Sequence, residues 1–390
     1  MSTRNLAAGI DLNRDEPQIC YYNLDTGDTV TAPMKVGNEE VSFRDILDGY
    51  ERRDAVFPEE EAVWEARRRR LEEQAADIFR QALATLGLTD PSRQLKGVVT
   101  TVPRITKPVI ALMRSVYSRL GLDRDRAFLQ DYRESFYYHT FYQKKELHAR
   151  KAGLFRFDSR KVTFFSLDQD LLTRPVTVTA AETPAGVLGE NAADWDQQFC
   201  GMIEKALKND MYSSVFIMGD GFEQSRMPRS TALLCRSGRK VFVVDRLFAR
   251  GACYAAREKA VESILGGCLY LGDDLIRSNI SMQMVVQGTE TVYPVVTAGV
   301  NWYEAGTSFS CLLNGEPELV FSVSGLEGGE TRQLRMDLSG LPARPPKASR
   351  LEVNVSFSSA HRCEVEVRDA GFGELYPASG LCWREEWEDL

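Results

Sequence analysis

One change of pattern divides this chain. Up to about Gly266, segments with helical spacing of apolar residues alternate with short apolar strands; after it, helical spacing gives way to short segments of period two. Seven such segments follow in turn: Ile280–Gln287, Glu290–Val296, Ser308–Leu313, Leu319–Val323, Thr331–Leu338, Arg350–Phe357 and Arg362–Arg368. Turns such as Asn314-Gly315 and Gly328-Gly329 separate them. Side chains on a strand point alternately to two faces, so segments of this kind need a second sheet over their apolar face, and a β-sandwich is predicted. Cys382–Leu390 either packs on that sandwich or forms a tail. The earlier helix–strand alternation predicts an α/β layer architecture. The length of 390 residues suits two or three domains, and a boundary is expected near residues 261–275.

Within the first part, Ala7–Leu12 and Gln18–Asn23 read as an opening β-hairpin, with a turn at Asp25–Asp28 after it. From Glu59 to Gly87, residues Leu71, Ala75, Ile78, Phe79, Ala82, Leu83 and Leu86 recur at helical spacing, and Gly87 supplies a stop. The Arg67–Arg70 run on that helix lies among glutamates and reads as a solvated, internally paired face. Next come a strand at Gly97–Val102, a helix at about Thr106–Leu120, a strand at Arg126–Leu129 and an aromatic-rich helix at Glu134–Leu147. The run Phe136–Tyr142 is expected to pack between lobes, with His139 a core histidine. Leu154–Phe157 and Lys161–Leu167 read as paired strands around Asp158. A helix at Ala192–Leu207, a buried strand at Ser214–Met218 and a closing helix at Asp245–Leu265 complete the region.

The formal net charge of −8 supplies no basic face, so no nucleic-acid partner is expected. No uncharged apolar run reaches the ~18 residues of a membrane-spanning helix. Asp11 interrupts the apolar stretch near the start before it attains signal-peptide length, and a cytoplasmic chain without membrane contact is expected. The eight cysteines form no Cys-x-x-Cys pair and read as reduced core thiols; with three histidines, no zinc site is expected.

Several local motifs occur in a fixed order. Gly9-Ile10-Asp11-Leu12 ends the first strand. Gly97–Pro103 (GVVTTVP), Arg119-Leu120-Gly121-Leu122 and Ala127–Tyr132 follow. Then come Phe155–Leu167 (FRFDSRKVTFFSL), Val215–Pro228 (VFIMGDGFEQSRMP) and Asp245–Ala256 (DRLFARGACYAA). Met336–Gly371 carries Asp-Leu-x-Gly-Leu-Pro, a basic Pro-rich loop and two alternating strands ending at Asp369. Taken in order, these segments resemble the DnaK-type (seventy-kilodalton heat-shock) chaperones of the actin-like ATPase superfamily.

The resemblance implies an α/β actin-like (ribonuclease-H-like, duplicated) two-lobed domain over residues 1–265, with lobes of about 1–150 and 151–265. An all-β sandwich over 266–390 follows, without the family's helical lid. ATP or ADP with Mg²⁺ would lie between the lobes, cradled by two loops. By that resemblance Asp11 and Asp158 are the loop aspartates that hold the metal, and Asp131 is the carboxylate that orients the attacking water. Gly9 and Asn13 belong to the first phosphate loop, and Arg160, Lys161 and Thr163 to the second. Gly219, Asp220 and Gly221 lie on the adenine side, and Arg226 at the base or ribose. A peptide or protein client would lie near Met282, Met284, Val295 and Val296, which otherwise are core residues of the sandwich.

The sequence departs from that family at both phosphate loops. Asn13-Arg14-Asp15-Glu16-Pro17 stands where the family has Gly-Thr and hydroxyl residues, and Ser159-Arg160-Lys161-Val162 where it has a glycine run. Arg160 and Lys161 then either hold a phosphate or neutralise Asp15 and Glu16 across the cleft. Lys35 is the candidate for the family's lysine. Two functions follow. One is a chaperone-like protein, at most a weak ATPase, whose nucleotide domain is coupled to a peptide-binding sandwich. The alternative is a non-catalytic pseudo-ATPase scaffold or protein-interaction module.

Overall fold

A computed structural model describes residues 5–12, 17–33, 43–51, 61–85, 87–88, 90–123, 125–208, 210–325 and 330–388. Asn13, Arg14, Asp15, Glu16, Lys35 and the Gly328-Gly329 turn lie outside the described residues. The chain divides into two compact units, Met1–Tyr270 and Leu271–Leu390.

The first unit opens with β1 (Leu6–Asp11), β2 (Gln18–Asn23) and β3 (Thr29–Pro33), then α1 (Phe43–Glu51), α2 (Glu61–Thr85) and α3 (Pro91–Gln94). β4 (Leu95–Val102), α4 (Lys107–Arg119), β5 (Ala127–Asp131) and α5 (Tyr132–Phe141) complete its first lobe. The strands form one sheet in the order β3-β2-β1-β4-β5. The second lobe contains β6 (Lys151–Asp158), β7 (Lys161–Asp170), β8 (Val176–Val187), α6 (Trp195–Leu207), β9 (Tyr212–Met218) and α7 (Pro228–Leu234). β10 (Lys240–Val243), α8 (Leu247–Ala260) and β11 (Cys268–Tyr270) end the unit. The second sheet has the order β10-β9-β6-β7-β8-β11.

Read from β8, the series β8-β7-β6-β9-β10 repeats the first sheet strand for strand. In each sheet the first strand pairs antiparallel with the second and parallel with the fourth. The second and third strands are again antiparallel, and the fourth and fifth parallel, in both sheets. This internal repeat is the duplicated, ribonuclease-H-like arrangement of an actin-like two-lobed domain.

One core joins the lobes. Phe136, Tyr137, Tyr138 and Phe141 of α5 pack with Ala7 and Val99 of the first sheet, Leu154, Phe165 and Phe216 of the second, and Phe248 of α8. The aromatic run therefore serves as interlobe packing. His139 is buried among these rings, edge-on to Phe216 at 5.5 Å. Burial pushes its imidazole pKa down to about 3, so it is neutral packing material. On the α2 surface, Arg69 pairs with Glu65 at 3.7 Å and Arg68 with Glu72 at 3.4 Å.

The structure holds elements that the sequence did not show, among them β3, α1, α7 and β10, and three further points differ from the sequence reading. The aromatic helix spans Tyr132–Phe141, and it begins at Tyr132 because Asp131 caps it: the Asp131 Oδ1 accepts from the Glu134 N–H at 2.8 Å. β8 is a twelve-residue strand where the sequence showed no element, since Pro184 and Gly186 interrupt its strand character. The cysteines are not all core thiols: Cys20, Cys253 and Cys363 are buried, but Cys235 and Cys382 are exposed.

The second unit is a sandwich of two antiparallel four-stranded sheets. One has the order β13-β12-β15-β16, from β12 (Ser278–Val286), β13 (Thr289–Val296), β15 (Glu318–Gly325) and β16 (Arg332–Asp337). The other has the order β14-β17-β18-β19, from β14 (Gly306–Leu313), β17 (Ser349–Ser359), β18 (Arg362–Asp369) and β19 (Cys382–Glu388). The C-terminal segment is thus the strand β19, paired to β18 over seven residues. β12 and β13 turn at Gln287-Gly288, both with positive φ (52° and 84°), the geometry of the tightest hairpin loops. Met282, Val295 and Val296 are buried in the sandwich core, and Met284 is half-buried. Arg344 and Asp369, both buried, form a bidentate pair with two 2.8 Å hydrogen bonds, and Asp369 also accepts from the Gly371 and Ser379 N–H groups. Chiefly through Arg344, its carboxyl is held well below the usual carboxylate range. This pair ties the Pro-rich loop to the end of β18.

Candidate functional site

In the first sheet, β1, β4 and β5 run parallel, with Asp11 level with Thr101 and Asp131 level with Val102. Asp11 and Asp131 therefore sit at the carboxyl ends of the two strands that flank β4, the end at which open α/β sheets place their ligands. The side-chain parity of the second sheet brings Arg156 and Asp158 of β6, and Lys161 and Thr163 of β7, to one face of their hairpin. Leu154 and Phe165 share that face and belong to the interlobe core, so the face looks toward the first lobe.

Tyr132 occupies the centre of this arrangement. Its hydroxyl donates to Asp11 Oδ1 at 2.9 Å. Its ring stacks on Phe248, centroids 3.9 Å apart and planes within 4°. The Arg156 guanidinium lies over the Tyr132 ring at 5.2 Å and donates to Asp158 at 3.3 Å. Burial, and then the charge of Asp11, push the Tyr132 phenol well above its ordinary pKa, so it remains a donor. Glu182 of β8 lies within electrostatic reach of Arg156, Arg133 and Arg104. The cleft is thus filled by a stack of Phe248, Tyr132 and Arg156, bracketed by carboxylates.

The expected site residues separate into two groups. Asp11 and Asp158 lie around Tyr132 and Arg156, Asp131 directly precedes Tyr132, and Lys161 and Thr163 share the hairpin face of Arg156 and Asp158. Asp131 is fully engaged there: one oxygen caps α5, and Arg133 Nε donates to the other at 2.6 Å. It holds a helix end and an arginine in place of a water. Gly9 lies within β1, paired to Cys20 and Val99. A Cβ on it would lie 2.1 Å from the Cys253 nitrogen and 2.4 Å from the Ala249 oxygen. The packing of α8 directly on β1 is enough to require glycine at position 9.

Gly219, Asp220 and Gly221 follow β9 and lie against the β6–β7 hairpin. A Cβ at Gly219 (φ +100°) would meet the Phe157 oxygen at 2.0 Å, and one at Gly221 the Ser159 oxygen at 2.8 Å. Close packing alone requires both glycines, and Asp220 is exposed between them. Arg160 turns away to Glu190, at 3.8 Å, and Arg226 pairs with Glu223 at 2.9 Å on the surface. Asn13 lies outside the described residues.

The carboxylates do not form a Mg²⁺ site as arranged. A phenol donor faces Asp11 and a guanidinium faces Asp158, where a hard cation would need open oxygen ligands. Among the described residues no three His, Cys, Asp or Glu side chains gather as metal ligands. The residues that fill the cleft, Tyr132, Arg133, Arg156 and Phe248, were not singled out from sequence. One signal was available: Arg156 is the lone charge in the apolar run Leu154–Phe157, and a charge in a buried strand needs a partner.

Among the described residues no helix is long and apolar enough to cross a membrane. Among curated proteins none matches this sequence. Among solved structures it is similar to the type II variant of the Aquifex aeolicus Ppx/GppA phosphatase, at 9% identity and a TM-score of 0.31, over 55% of this chain and 67% of that one. Residues 275–388 match a model described as a domain of unknown function (DUF8552). Residues 53–273, more than half of the chain, match the model described as the family of unknown function (DUF5716) C-terminal, and the chain belongs to that family.

Proposed function

We propose that this protein is a non-hydrolysing relative of the actin-like ATPases: a DnaK-like body whose cleft is closed by its own side chains and whose β-sandwich engages a protein partner. One observation carries the reading, the Tyr132 hydroxyl bound to Asp11 within the Phe248–Tyr132–Arg156 stack. Phosphoryl transfer needs positioned metal, water and carboxylate. Here the carboxylates already hold a phenol, a helix N-terminus and arginines. The test is a phosphate-release assay on purified protein with ATP and Mg²⁺. Turnover at the level of buffer alone is expected. Mg²⁺-dependent hydrolysis abolished by Asp11→Asn would overturn the proposal.

A second reading, a nucleotide-gated chaperone-like protein, is favoured by one feature. Asp11, Asp131 and Asp158 meet at one cleft although they are far apart in the chain, and the Gly219–Gly221 loop lies against the same hairpin. Under that reading Tyr132 and Arg156 swing aside when ATP enters. Calorimetry with ATP and ADP, with and without Mg²⁺, separates the two. Binding well below millimolar favours gating, and no heat at several millimolar favours the closed cleft.

A further inference from the structure

The edge strands of the sandwich are not alike. β13 carries Glu290 and Pro294, β16 carries Arg332, Arg335 and Asp337, and β19 carries Arg384, Glu385, Glu386 and Glu388. β14 reads Gly-Thr-Ser-Phe-Ser-Cys-Leu-Leu, with neither charge nor proline. Charged side chains and proline are how proteins keep edge strands from pairing with other molecules, because an edge presents a row of unpaired N–H and C=O groups. Among the described edges of this unit, β14 lacks both devices.

β14 pairs with β17 over its whole length, from Gly306↔Ser356 to Leu313↔Ser349, and ends its sheet on the other side. Its outward residues Ser308, Ser310 and Leu312 are exposed, Leu312 by 43%. Beside them lies a hollow of about 430 Å³, lined in part by Glu352, Glu366 and Arg368. Charge there is balanced: Glu366 pairs with Arg368 and with Arg384, each at 2.6 Å, and Glu352 lies opposite Arg368.

We propose that β14 is a self-association edge, at which a second copy of this chain adds its own β14 antiparallel about a two-fold axis. Charge argues for a second copy. Pairing about a two-fold sets a strand against itself. A β19 edge would set three glutamates, with Arg384 as the lone basic residue, against the same acidic set, and like charges opposite each other destabilise a sheet. β14 brings serine, cysteine and leucine against the same uncharged set. The pairing satisfies the outward backbone groups of both strands and covers Leu312 of each copy. The cleft takes no part, so the outcome leaves the reading of the cleft untouched.

Analytical ultracentrifugation of the full chain across the micromolar range tests this, and a species of twice the 43.9 kDa chain mass is expected. Ser310→Lys and Leu312→Lys, each placing like charges across the axis, should weaken the dimer about tenfold or more. Gln333→Lys on the already charged β16 should leave it unchanged. Both β14 positions face solvent, and circular dichroism with a thermal melt confirms that each variant is folded. A wild-type monomer at the highest concentration overturns the proposal. So does a dimer indifferent to both β14 lysines, or one weakened equally by Gln333→Lys.

Discussion

The two sheets of the α/β unit repeat one strand order, yet they treat the aspartate at the end of their first strand in opposite ways. Asp11 ends β1, is 3% exposed, and accepts from the Tyr132 hydroxyl. Asp158 ends β6, its side chain is 53% exposed, and Arg156 holds it from two residues away. The cause lies in what covers each strand. α8 rests on β1 so closely that Gly9 has no room for a Cβ. The β6–β7 hairpin instead turns in two residues, with Ser159 at φ +54°, and its tip is exposed. A duplicated fold need not keep a symmetric site. Here the first-lobe half is committed to packing, and the second-lobe half is exposed.

The sharpest way to break that contrast is to add one carbon to each half. Gly9→Ala drives a Cβ into backbone atoms of α8, which cannot yield without moving the helix, and should destabilise the protein by roughly 3 kcal/mol. Gly153→Ala, in β6, meets the Phe164 ring at 3.0 Å, a side chain and not backbone, which need give by only a few tenths of an ångström. It should cost about 1 kcal/mol. Denaturant melts of the two variants side by side measure the difference, and equal losses would erase the distinction between the halves.

Tyr132→Phe comes next. It removes the donor from a buried carboxylate while keeping the stack on Phe248, for an expected loss of about 1–2 kcal/mol. The pH dependence follows from the raised phenol pKa. A group whose pKa is higher in the folded protein contributes stability that is complete below the unfolded value, about 10 for tyrosine, and is lost as pH rises above it. Tyr137, Tyr138 and Tyr142 are shifted the same way, chiefly by burial. Stability should therefore fall above about pH 10, and Tyr132→Phe should make that fall shallower. An unchanged slope would mean that Tyr132 is not held as a buried donor.

Much of this was legible in sequence, and the misses have physical causes. The strand before Asp11, the Gly97–Val102 strand, the β6–β7 pair around Asp158 and the switch to period two after Gly266 all rest on local periodicity, which a single segment carries. Asp131 was read as a catalytic carboxylate, yet Asp131-Tyr132-Arg133-Glu134 has the spacing of a helix N-cap followed by an N3 glutamate, and the Glu134 N–H does bond to Asp131. That signal was local and available. The filled cleft was not, because Asp11, Tyr132, Arg156 and Phe248 come from four elements and meet only when both lobes are folded. The glycine at position 9 shows the limit from another side. A phosphate loop and a helix lying on a strand both demand glycine there, and only the fold shows that α8 makes the second demand.

Arg156→Ala probes the boundary between the two halves. It removes the guanidinium from the Tyr132 ring and from Asp158, at an expected loss of about 1 kcal/mol, with Arg156→Lys restoring part of it. Asp158→Asn should do least to stability, within about 0.5 kcal/mol, because an exposed carboxylate paired at 3.3 Å gains little over its solvated state. Its value lies in the second readout. In a closed cleft, Asp158→Asn leaves nucleotide titrations as featureless as in the wild type, and frees Arg156 without opening a site. In a gated cleft, Asp158 is one of the exposed carboxylates near the phosphates, and the same change removes Mg²⁺-dependent binding while the melting temperature stays put. A stability-silent substitution that abolishes nucleotide binding would locate the ligand in the open second-lobe half, and would show that the Phe248–Tyr132–Arg156 stack is a door and not a wall.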